Sequence, residues 1–135
     1  MEAGREMDAL IAEKVIGLHV EWRSGVPMWV GKDLPGSPYV LGDGLYGHTI
    51  DNYSTEIRDA WKVLEKFNEI GLVVVVGSKR FLDTRNLVWY ALIGMAKPID
   101  EFDMNANILG EAEAPTAPLA VCRTALLAIE ARNKR

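Results

Sequence analysis

Five aromatic residues, Trp22, Trp29, Tyr39, Tyr46 and Tyr53, fall within one third of a 135-residue chain. Such rings stack on nucleobases without regard to sequence, because every base has a π-face. They also supply ordinary cores and oligomer interfaces. Core or interface is the leading reading, and ligand stacking by Trp22, Trp29, Tyr39 and Tyr53 is the alternative. Further along, Lys79, Arg80 and Arg85 cluster in one polar connection. A basic loop can hold phosphate through charge-assisted hydrogen bonds. The plainer reading is a solvated hairpin. Helix openings at Ser54-Thr55 and at Thr116 present N–H groups that suit anions, although capping accounts for most such positions.

Covalent chemistry finds little support. His19 and His48 are the only histidines and lie far apart in sequence, with no evident Ser/His/Asp or Cys/His partners. Asp103-Met-Asn-Ala-Asn107 has the opening of a calcium loop. Ile108 and Ala114 stand where that loop needs glycine and glutamate, so a polar loop is expected. Gly42, Gly44 and Gly47 lack the flanking strand and helix of a phosphate-binding fingerprint. Cys122, the single cysteine, sits on an apolar helical stripe and reads as a small buried hydrophobe. No catalytic residue, metal site or cofactor is expected.

The composition is that of one globular domain: 49% apolar, 25% charged, net charge −4. That charge argues against sequence-independent nucleic-acid binding, which needs a dense basic footprint. A single cysteine fits a reducing cytosol. The charged N-terminus is not a signal peptide, and no apolar run approaches the roughly 20 residues of a membrane span.

Three helices must position these groups. Arg5 to Ile16 carries Met7, Leu10, Ile11 and Val15 at helical spacing and stops at Gly17. A second helix opens at Ser54 as N-cap, with Ile57, Ala60, Trp61, Leu64 and Phe67 as its buried face. A third begins near Thr116, tolerates Pro118 in its first turn, and buries Leu119, Cys122, Leu126 and Ile129. Residues 130–135 read as a solvated tail. Leu18–Arg23 and Val26–Val30 form strands about a Ser24-Gly25 turn, with Pro27 placing the second at a sheet edge. Residues 31–52 form a long glycine- and proline-rich loop, with room for a short strand at Tyr39-Val40-Leu41. Leu72–Val76, with four consecutive valines, reads as a strand buried on both faces. Leu87–Ile93 is its antiparallel neighbour, and 95–114 is irregular. A strand covered on both faces needs a layer on each side. The expected fold is therefore an α/β class, three-layer α/β/α sandwich with a mainly antiparallel central sheet.

The stretches Gly4–Gly17, Tyr53–Trp61 and Ala117–Leu126, in that order, resemble the phage ABA sandwich family of bacteriophage and prophage proteins. The resemblance implies the same α/β/α sandwich and little about activity. It leaves 22–52 unmatched. Some phage proteins of this size sequester nucleotide signals of bacterial immunity, an analogy of source and size. The expectation is a non-enzymatic, homo-oligomeric accessory protein in the cytoplasm of the infected host, binding an anionic nucleotide-like molecule. The alternative is an inhibitor that docks on a host defence or replication protein. A nucleotide-directed enzyme using His48 and a carboxylate is a third class.

Overall fold

A computed structural model describes residues 2–80, 87–95 and 108–134. Its elements are α1 (Arg5–Ile11), a π-helical turn (Ala12–Ile16), β1 (Val20–Arg23), β2 (Val26–Gly31), β3 (Tyr39–Gly42), β4 (Leu45–Thr49), α2 (Ile57–Glu69), β5 (Leu72–Arg80), β6 (Leu87–Met95), β7 (Ile108–Ala114) and α3 (Ala117–Asn133). The described residues form a mixed α/β molecule with three helices and two antiparallel sheets, ordered β1-β2-β4-β3 and β5-β6-β7. The strands thus fall in two sheets where one central sheet was expected.

The first sheet is built from two tight hairpins. Ser24 and Gly25 both have positive φ, as do Asp43 and Gly44. Two successive left-handed residues match the right-handed twist of the strands they join. The span 31–52 is therefore not one long loop, since most of its second half is the β3–β4 hairpin. Pro27 does not mark an edge: β2 pairs with β1 on one side and β4 on the other. Its missing N–H is tolerated because pairing with β4 starts only at Met28.

In the second sheet β5 and β6 are antiparallel over nine residues each, as the short connection predicts. The valine run alternates between faces, however. Val73 is 43% and Val75 38% exposed, while Leu72, Val74 and Val76 pack towards the core. The expectation of a strand buried on both faces fails here, and with it the layer argument drawn from that strand. Lys79 and Arg80 belong to β5 and not to a loop, and 108–114 is a strand, not irregular chain.

Helix α3 is the centre of the core. Its first turns are buried almost all round, and its alanines let β7 approach closely. A Cβ on Gly110 would lie 2.5 Å from the Thr124 carbonyl oxygen and 2.9 Å from the Ala128 nitrogen. The Thr124 hydroxyl donates to the Ala91 carbonyl at 2.9 Å, tying helix to sheet. Thr116 is the N-cap residue, without a side-chain capping bond, and the helix runs through the predicted tail to Asn133. Gly17 ends the first helix in the left-handed region, as expected. Helix α2 departs more. It starts at Ile57 and buries Ala60, Val63, Leu64 and Phe67. Trp61, expected in the core, is 56% exposed, and Ile57 is exposed with it.

Candidate binding cleft

Trp29 on β2 and His48 on β4 are direct cross-strand partners. Such pairs bring side chains into contact on one face, and here the ring centroids stand 5.8 Å apart, tilted by 37°. The His48 Nε2 bonds the Pro35 carbonyl oxygen, an acceptor only, so this nitrogen carries the proton. Beyond the rings the wall continues through Thr49, Ile50, Asp51 and Tyr53, then crosses to Lys62 on α2. Ile16 and Leu18 close the other side, where the π-helical turn ends. Turns of this kind occur frequently at functional sites. Together these residues line a cleft of about 410 Å³.

Its polar groups are held in place. Lys62 Nζ lies 2.7 Å from Asp51 and 3.9 Å from Asp59. The hydrogen bond to Asp51 raises the ammonium pKa above its ordinary value. Burial, then the Asp51, Asp59 and Asp8 carboxylates, raise the Tyr53 hydroxyl far above the usual phenol range, so it stays a proton donor. One ammonium facing two carboxylates leaves this corner with no surplus positive charge.

A buried network behind the cleft sets the 50–54 backbone. Asp8, 1% exposed, accepts from the Ser54 N–H at 2.8 Å and the Ser54 hydroxyl at 2.7 Å. Arg5 bonds the same carboxylate, the carbonyls of Ile50 and Asp51, and the Asn52 side chain. Ser54 is consequently not the α2 N-cap, and its N–H is not offered to an anion. The Thr55 and Glu56 N–H groups are taken by the Asn52 carbonyl.

Of the residues singled out from the sequence, Trp29 and Tyr53 meet in the cleft, Tyr53 as a nearly buried wall. Trp22 and Tyr39 are exposed elsewhere on the first sheet. Lys79 pairs with Glu113 across the second sheet, and Arg80 is exposed at the end of β5. Thr116 stands at the start of α3. Arg85 and the 103–107 loop lie outside the described residues. The expected aromatic and basic groups therefore do not converge. Lys62 and Asp51 were missed; the only sequence hint was the Asp59/Lys62 spacing on α2.

A larger groove of about 630 Å³ lies between α1 and the end of α3, lined by Leu10, Lys14, Leu126, Ile129 and Lys134. It has no aromatic wall. Among the described residues no His, Cys, Asp or Glu group is arranged to hold a metal, and no helix is long and apolar enough to cross a membrane. Cys122 is buried, its thiol pushed up to about 12 by burial and then by Asp8.

A small α/β protein with a ring-lined cleft between sheet and helix is the class these features define. The chain belongs to the phage ABA sandwich domain family, whose model matches residues 9–126. No curated protein and no solved structure matches it.

Proposed function

We propose that this phage-family protein acts by binding, without catalysis, and that the cleft takes the nucleoside part of a nucleotide-derived host signal. The Trp29–His48 ring pair lining a preformed cleft carries this reading. A base stacks on the rings, the Tyr53 hydroxyl donates, and Asp51 accepts from sugar hydroxyls. With Lys62 already engaged, the phosphates project towards solvent. The protein would work in the cytoplasm of the infected bacterium, and its helices would form part of the three-layer packing the family name describes.

Thermal melting against nucleosides, cyclic dinucleotides and ADP-ribose-type nucleotides tests this. A ligand at about 100 times its Kd adds roughly 2.7 kcal/mol, several degrees for a domain of this size. Trp29→Ala should abolish the shift, and bound ligand should be recovered unchanged after denaturation. A flat panel with folded protein rejects the nucleoside reading, and an altered product rejects the non-catalytic one.

A second reading rests on the β3–β4 hairpin, where Tyr39 is 64% and Val40 79% exposed. These side chains would dock on a host defence or replication protein. Tyr39→Ala with Val40→Ala would then abolish capture of that protein while leaving any nucleotide shift intact.

A further inference from the structure

The charges around the ring-lined cleft do not balance. Asp51 and Lys62 line it, and Asp59 stands 3.9 Å from the same ammonium. Asp51 holds Lys62 Nζ at 2.7 Å, so one carboxylate is left uncompensated. The buried Asp8 carboxylate is matched by Arg5 at 3.1 Å. Arg58 acts on Lys62, but it is exposed and does not line the cleft. At the Tyr53 wall, burial and then the charges of Asp51, Asp59 and Asp8 all raise the hydroxyl, so carboxylates set the field there. His48 gives its Nε2 proton to the Pro35 carbonyl, and the neutral ring keeps only a lone pair at Nδ1 for other partners. An aromatic face attracts positive charge, tryptophan most strongly. A carboxylate beside it in a partly desolvated cleft adds to that attraction.

From this we infer that the nucleoside taken by the cleft carries a positive charge on its base: a heteroaromatic ring quaternised at nitrogen, such as a methylated purine or a pyridinium. The inference rests on the nucleoside reading above and narrows it. The cationic ring stacks on Trp29 within the field of Asp51 and Asp59, while the Lys62 ammonium stays with its carboxylates. A neutral base gains the stacking alone. An anionic group in the same place meets the uncompensated carboxylate.

Isothermal titration calorimetry of the full chain tests this with two probe pairs that differ in ring charge. They are 7-methylguanosine against guanosine, and nicotinamide riboside against its reduced, neutral form. The charged member of each pair should bind about tenfold tighter. Asp51→Asn should erase that preference, and Lys62→Gln, which frees both carboxylates, should enlarge it. A merely structural disturbance would weaken both members of a pair alike. Circular dichroism should show both variants folded, since the two side chains are 39% and 51% exposed. Equal affinity within each pair, or tighter binding of the neutral member, overturns the inference and leaves the nucleoside reading standing. A preference unchanged in both variants overturns the role given to the carboxylates. If no nucleoside binds the folded protein, the inference and the reading beneath it fall together.

Discussion

Asp8 shows how much one side chain can fix. Its carboxylate sits in the core, joins α1 to the 50–54 backbone and satisfies two donors of Ser54. Asp8→Ala leaves the buried Ser54 N–H without its acceptor and removes the carboxylate that faces the Arg5 guanidinium. Breaking a buried charged network costs about 3 kcal/mol, so melting should fall by roughly 10 °C. An unchanged melting temperature would show that the network is dispensable. A second expectation concerns alkali. Cys122, Tyr53 and Lys62 all have pKa values raised by folding, and the raised form is the protonated one. The unfolded chain therefore loses these protons first. Their stabilisation is complete below about pH 9, where an unfolded thiol begins to ionise, and drains away as pH rises towards the folded values. Cys122 alone accounts for about 4 kcal/mol across pH 9 to 12. Denaturant unfolding at pH 7, 9 and 11 should show this decline, and Cys122→Ala should flatten part of it. Stability that rises above pH 9 would contradict the assignment.

Between elements, close approach replaces bonding as the main constraint. Gly110 lets β7 lie against the α3 backbone, where an added methyl would collide with main-chain atoms that cannot rotate away. Gly110→Ala should cost about 2–3 kcal/mol, in the range of overpacked cores. Gly77→Ala meets the end of the Tyr90 side chain, which can swing aside, so its cost should be smaller. Equal melting temperatures for the two variants would refute this account. The presence and order of the three helices and the Gly17 stop were readable because they depend on local residues and spacing, whereas the start of α2 and the end of α3 were not. The α2 face was not, because two stripes share Ala60, Leu64 and Phe67, and only tertiary packing chooses Val63 over Trp61 and Ile57. Four valines in a row carry no period, so burial on one face or on two looks alike in sequence. Asp43-Gly44, a strong hairpin signal, would have turned the expected loop into β3 and β4.

Across the whole molecule, family membership was legible through the resemblance of three helical blocks, and two sheets were not, because pairing partners are set at a distance. The cleft was half legible. Aromatic enrichment pointed to Trp29 and Tyr53, yet nothing local tells that Lys62 folds back beside Asp51 or that Lys79 and Arg80 end in another sheet. The strands β1–β4 come from one uninterrupted stretch, residues 20–49, and the cleft runs along its border with α2 and the first helix. A molecule lodged there touches both partners of that border at once. Its binding would favour whichever alignment of sheet and helix closes the walls upon it, so occupancy would act as a brace between two separately built halves and pass from the cleft to the surfaces each half presents.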